Sequence, residues 1–121
     1  MGKYVDGFVI PIPKKNLNAY KKMAKMGAKV WMKYGALEYF ECVGDDLKGM
    51  PGCLPFPKGI RARKGETVVF SWIVYKSKKH QKAVNAKVMK DPSMNAGFNE
   101  KSMPFDMKRM MYGAFKTIVN R

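Results

Sequence analysis

Thr67-Val68-Val69-Phe70-Ser71-Trp72-Ile73-Val74-Tyr75 is the stretch on which the fold turns. It is rich in β-branched and aromatic residues and reads as a strand. Successive strand side chains point to opposite faces. Val68, Phe70, Trp72 and Val74 therefore share one side, and Val69, Ile73 and Tyr75 share the other. Both sides are apolar, so this strand belongs at the centre of a sheet that is covered twice.

Upstream, Tyr4 to Pro11 reads as a second two-sided strand, with Tyr4, Phe8 and Ile10 against Val5 and Val9. Asp6 is its odd member. Pro11 and Pro13 lack the N–H that a ladder needs and are expected to stop it. From Lys14 to Tyr34, Leu17, Tyr20, Ala24, Gly27, Trp31 and Tyr34 recur every three or four residues, the apolar stripe of a helix. Lys22, Lys25, Lys29 and Lys33 fall opposite, and Gly35 supplies the C-terminal cap. Tyr20, Trp31 and Tyr34 read as core packing.

Ala36 to Val43 reads as a strand whose Glu38 and Glu41 suit a sheet edge. Leu47 to Pro57 carries three prolines and reads as a loop. Ile60 to Arg63 is expected to form a hairpin with Glu66 onward, across Lys64-Gly65. Ser77 is an N-cap for a helix over Lys78–Lys90, with Ala83, Val84, Val88 and Met89 inward and Asp91-Pro92 closing it. Ser93 to Asp106 reads as irregular or briefly helical. A last strand is expected from Arg109 to Val119.

The order β-α-β-β-α-β predicts an α+β, ferredoxin-like domain over residues 1–121, with both helices on one face of an antiparallel sheet. The second face is then uncovered. At roughly 1.5–3 kcal/mol per large apolar side chain, leaving it in water would cost more than a domain's stability margin. Two sheets packed face to face solve this, and a homodimer, a dimeric α/β barrel, is expected.

The totals fit such a chain. Hydrophobic residues make up 46% of the 121 and charged residues 27%, and no apolar run approaches the ~18–20 residues of a membrane span. The N-terminal residues lack the apolar stretch of a secretory signal, so a cytoplasmic address is expected, with Cys42 and Cys53 unpaired. The net charge of +15 comes from twenty lysines and four arginines. Scattered lysine confers solubility, whereas base and phosphate recognition favours the guanidinium. Nucleic-acid binding beyond nonspecific attraction is not expected. His80 is the only histidine, the cysteines have no metal-ligand spacing, and the glycines form no phosphate cradle. No metal and no cofactor is expected.

Several words of the sequence, in this order, carry a resemblance: Tyr4-Val5-Asp6-Gly7-Phe8, Gly35-Ala36-Leu37-Glu38, Glu41-Cys42, Val69-Phe70-Ser71-Trp72, Asp91-Pro92, Met103-Pro104-Phe105-Asp106 and Lys108-Arg109-Met110. Together they resemble the bacterial YbaA-like family, a domain of unknown function. Ala114 departs from the pattern, which usually has a second glycine after Tyr112-Gly113. The resemblance implies the dimeric α/β-barrel superfamily, whose members include cofactor-free monooxygenases, haem-degrading monooxygenases and small isomerases. It also implies a ligand cleft between helices and sheet.

Candidates for that cleft are Asp6 and Trp72 on the central strands, Glu41 and Cys42 on the edge strand, and Asn85 on the second helix. Phe105, Asp106 and Arg109 complete the set. Asp6 is expensive to bury unless paired, and Arg109 is its expected partner. As an enzyme site, Asp6 or Glu41 would move protons, Arg109 would steady an oxyanion, and Trp72 and Phe105 would wall the pocket. As a structural site, Asp6 would anchor the core, Asp106 would cap the last loop and Cys42 would be a buried, inert thiol. The functional expectation is a small-molecule-binding dimer, with cofactor-free oxygenase or isomerase-like activity. The alternative is a non-enzymatic binding or interaction protein.

Overall fold

Tyr4–Pro13 (β1) and Glu66–Tyr75 (β3), the two strands that are apolar on both sides, pair antiparallel at the centre of a four-stranded sheet. The computed structural model describes residues 2–97 and 102–121. Glu38–Val43 (β2) pairs with the outer side of β3, and Met111–Lys116 (β4) pairs with β1, giving the antiparallel order β2-β3-β1-β4. Leu17–Lys33 (α1) follows β1 through a 3-10 turn at Lys14–Asn16, and Lys78–Lys90 (α3) follows β3. A helical turn, Phe56–Gly59 (α2), lies between β2 and β3, and Pro92–Gly97 (α4) follows α3. This is the ferredoxin-like α+β arrangement.

The prolines do not stop β1, which runs on through Pro11 and Pro13 against Val68 and Glu66. The register explains this. Lys14 N–H bonds the Gly65 carbonyl on the β3 side, so even-numbered β1 residues direct their amides to β3 and odd-numbered ones away from it. The pairing with β4 ends at Val9–Met111. Pro11 and Pro13 thus lack an N–H only where no acceptor waits.

Ser77 caps α3 as expected, its Oγ accepting from His80 N–H at 3.1 Å. Gly35, at φ +107°, supports the left-handed turn after α1 that costs a side chain dearly. Other expectations are corrected. The inner face of α3 is Gln81, Val84 and Val88, while Ala83 and Met89 are exposed. Ile60–Arg63 is a turn beyond α2 and not a hairpin strand. Arg109 ends a 3-10 turn, Met107–Arg109, so β4 starts later than its pattern indicates. Of the Ser93–Asp106 segment, Pro92–Gly97 covers the start, and residues 98–101 lie outside the described residues.

Both helices lie on one face. There Ile10, Ile12 and Val69 pack on Tyr20 and Ala24 of α1, and Ile73 and Tyr75 pack with Val30, Val84 and Val88. The opposite, open face carries an aromatic row. Phe40 stacks on Trp72 at 4.8 Å, Trp72 meets Phe70 at 5.3 Å, and Phe56 of α2 leans on Phe70 at 6.0 Å. The segment between β2 and β3 therefore gives this face part of its cover. Val68 and Val74 are buried, yet Phe70 stays 44% exposed and Phe115 61%.

Candidate functional site

The strand parity that sends Ile10, Val69 and Ile73 toward the helices sends Asp6, Glu41, Ser71, Tyr75 and Tyr112 the same way. Between these side chains and the helices lies a cavity of about 560 Å³. Its walls are rings (Phe8, Tyr20, Trp31, Tyr39, Phe105, Tyr112) and methionines (Met23, Met89, Met94, Met103, Met107, Met110). Its size and largely apolar lining match those of small-molecule sites. Asp6, Glu41, Ser71 and Asn85 are its polar groups.

Asp6 is 2% exposed and has no cation beside it among the described residues. Its charge is held by neutral donors instead. Oδ1 accepts from Gln81 Nε2 and from the Tyr112 hydroxyl, each at 2.8 Å. Oδ2 accepts from the Tyr75 hydroxyl at 2.9 Å and from Asn85 Nδ2 at 3.5 Å. Asn85 is oriented in turn by Trp31, whose indole N–H donates to its Oδ1 at 2.9 Å. Four donors satisfy a buried carboxylate; they tie three strands to α3, and Trp31 adds α1 through Asn85. Burial and the adjacent carboxylate push the Tyr75 hydroxyl above its ordinary pKa, and that of Tyr112 up to about 12.

Glu41, two strands away, forms a second and simpler set. Oε1 accepts from the Tyr20 hydroxyl at 2.6 Å and Oε2 from the Tyr39 hydroxyl at 2.7 Å. Both phenols are raised well above the ordinary value, first by burial and then by the Glu41 charge. Gly27 gives Tyr39 its place: a Cβ there would come within 3.0 Å of the Tyr39 hydroxyl.

Asp6, Glu41, Asn85 and Phe105 thus share the cavity, with Phe105 edge-on to Tyr20 at 5.7 Å. The other four candidates are not in it. Trp72 pairs across β1 with Gly7, one residue out of phase with Asp6, and so faces the open side. Cys42 follows Glu41 and faces away from it. Its thiol is exposed and free, correcting the buried one expected. Asp106 caps the last 3-10 turn, accepting from Lys108 N–H at 3.0 Å.

Arg109 is not the partner of Asp6. It donates to both carboxylate oxygens of Glu66, at 2.8 and 2.9 Å, and to the Arg61 carbonyl. This clamp lowers the Glu66 carboxyl to about 2, the Arg109 hydrogen bonds being the main cause. Asp91, likewise held by Ser93, Tyr34 and Lys33, is lowered too and pins α1 to the α3–α4 corner. His80 turns its Nδ1 to the Lys76 N–H and does not line the cavity.

The tyrosines are what sequence reasoning missed. Tyr20 and Trp31 fit a core stripe by spacing, and spacing says nothing of a hydroxyl or an indole N–H. Two signals were present. Gln81 and Asn85 lie one helical turn apart on the inner side of α3, and Tyr112 and Tyr75 share the parity of their strands' inward residues.

The family described as "Protein of unknown function (DUF1428)" matches residues 3–107. The chain belongs to this family. It is 44% identical over 118 residues to "Uncharacterized protein YbaA" of Escherichia coli (strain K12), covering 98% of each chain. The Shigella flexneri protein of the same name matches to the same extent. Among solved structures, a dimeric ferredoxin-like protein from an uncultured marine organism superposes with a TM-score of 0.62, covering 100% of both chains at 11% identity. At that identity the likeness is one of fold. Among the described residues, no helix is long and apolar enough to cross a membrane.

Proposed function

We propose that this protein is a single-domain homodimer, working in the cytoplasm, that binds a small organic molecule between sheet and helices of each subunit. The observation that carries the reading is the 560 Å³ cavity, apolar in its walls and furnished with two carboxylates. A second copy is supported by the open face, whose Phe40, Phe70, Met111 and Phe115 are exposed, because contiguous apolar surface of this kind marks an interaction site. The marine protein of the same fold is itself dimeric. The two free, exposed cysteines accord with a reducing compartment.

Proton transfer is the second reading. Each carboxylate holds two phenols, the parts of an acid–base pair for a cofactor-free isomerase or oxygenase. Arg109 has no share in it, since it is bound to Glu66, and the developing negative charge would fall to Tyr20 or Tyr39. Binding without catalysis is favoured by the partners the polar groups already hold: every described buried side-chain N or O atom has at least one.

Native mass spectrometry of the protein purified from its own host tests both parts together. The expected spectrum shows two chains with a small molecule retained on each. A single chain at micromolar concentration refutes the dimer. Loss of no mass on mild activation, in protein that also shows no shift with any small-molecule library, refutes the binding site.

A further inference from the structure

The two carboxylates of the cavity are unequal, and the inequality specifies the charge of what binds. Asp6 accepts four hydrogen bonds, the full capacity of a carboxylate. Glu41 accepts two and keeps lone pairs to give. In a chain of net charge +15, no Lys, Arg or His among the described residues lines this cavity. An anionic ligand would enter a site already holding two negative groups, where like charges repel strongly.

Rings surround Glu41. Tyr20 and Tyr39 are bonded to it, Trp31 lies 6.1 Å from Tyr39, and Phe105 closes on Tyr20. A carboxylate among aromatic rings is the setting that favours an ammonium, through direct pairing and the attraction of a cation to ring faces. A second, outer groove of about 440 Å³ between α1 and β2 is lined by Tyr20, Tyr39 and Glu41 as well. These three residues therefore form the partition between the inner cavity and the sheet edge. Lys21 and Lys25 stand on the outer groove alone, which makes the inner side of Glu41 the seat for a cation.

We propose that the ligand is an organic amine: a primary or methylated ammonium seated at Glu41 among Tyr20, Tyr39 and Trp31, with an apolar body along the methionine wall toward Asp6. The proposal rests on the cavity being a ligand site and goes further by naming the ligand's class. Asp6 pairs with Ile73 and Glu41 with Ser71, two strands across and two residues along, roughly 12 Å apart at the backbone, which sets the length of that body.

Four probes of one shape separate the outcomes: phenylbutylamine, its trimethylammonium analogue, phenylbutanol and phenylbutyrate. Binding is read by titration calorimetry and by methyl signals of 13C-labelled methionine, six of the eleven methionines lining the cavity. At least one of the two cations is expected to bind about tenfold or more tighter than the alcohol. Glu41→Gln is expected to remove that preference, bringing the affinity of the cations down to about that of the alcohol for the same variant. Equal binding of cations and alcohol overturns the amine assignment and leaves the cavity a ligand site. Tightest binding by phenylbutyrate does the same. A preference that survives Glu41→Gln overturns Glu41 as the seat. No methyl shift with any probe overturns this inference and counts against the site itself. Should Glu41→Gln not fold, the comparison of the cations with the alcohol on the unsubstituted chain decides alone.

Discussion

Replacing Asp6 by asparagine keeps the shape of the side chain and removes its charge, so it isolates what the buried carboxylate contributes. Two expectations compete. A buried carboxylate without a cation carries a desolvation cost of several kcal/mol, and neutralising it would relieve that cost. Against this stand four donors, each hydrogen bond to a charged group contributing about 1.5–3 kcal/mol. Asparagine's carbonyl can still accept from one side of the network. Its amide group then faces donors on the other side, either Tyr75 and Asn85 or Gln81 and Tyr112. A tyrosine hydroxyl can rotate to accept. Asn85 can turn its amide only by giving up the bond from Trp31, which can donate and not accept.

With the amide toward Tyr75 and Asn85 a buried bond is lost outright, toward Gln81 and Tyr112 both side chains must reorient, and either way the bonds lose their charge assistance. We expect a net destabilisation of about 3 kcal/mol, a large share of a margin of about 5–15 kcal/mol. For a chain of this length that corresponds to a fall in Tm of roughly 10 °C. Thermal melts followed by circular dichroism and calorimetry measure it. Tyr112→Phe supplies the control: it should destabilise the native chain by about 1 kcal/mol and do so by clearly less in the Asp6→Asn background. An Asp6→Asn protein that melts at or above the temperature of the native chain would refute the reasoning, because the carboxylate would then be a liability that its donors do not offset.

Three further outcomes follow from other parts of the molecule. The folded-state pKa of Glu66 is depressed to about 2, so its pairing with Arg109 stabilises fully above the ordinary carboxyl value near 4.5. That contribution is lost as pH falls toward about 2. The stability gap between the native chain and Glu66→Gln, measured by urea titration, should accordingly shrink on acidification, and a gap constant from pH 7 to pH 2 contradicts the clamp. Tyr20, Tyr39, Tyr75 and Tyr112 have folded-state values above the usual 10, Tyr112 at about 12. Their stabilisation holds below pH 10 and drains away as pH rises through those values. Ultraviolet titration should leave at least four of the six tyrosines un-ionised until the alkaline transition, and free ionisation near pH 10 would deny the two networks. Phe70→Glu puts a charge on the open face, across the sheet from the cavity. Light scattering should then report one chain where the parent gives two, with unchanged methionine-methyl signals from the cavity.

Much of the fold was legible because it rests on local periodicity. Both central strands announce themselves by being apolar on each side, and Ser77 and Asp91-Pro92 bracket α3 at its observed ends. The site was half legible. Asp6 and Glu41 stand out as carboxylates at inward positions of strands, and Asn85 lies one helical turn from Gln81. Trp72 was misplaced because register, and not sequence, decides which residue of one strand shares a face with a residue of the next; a slip of one residue exchanges the faces. Arg109 was misassigned for a related reason. A turn and not a strand carries it, and the turn delivers its guanidinium to Glu66 at the start of β3.

By itself the sequence determined the two central strands, the two long helices and the excess of apolar sheet, since alternation and helical spacing act over a few neighbouring residues. Tertiary structure alone decided that tyrosines and amides surround Asp6. It alone decided that Glu41 faces a ring-lined cavity and that the segment between β2 and β3 takes up part of the open face. Those contacts join residues tens of positions apart, and their geometry exists only once strand register and helix docking are fixed.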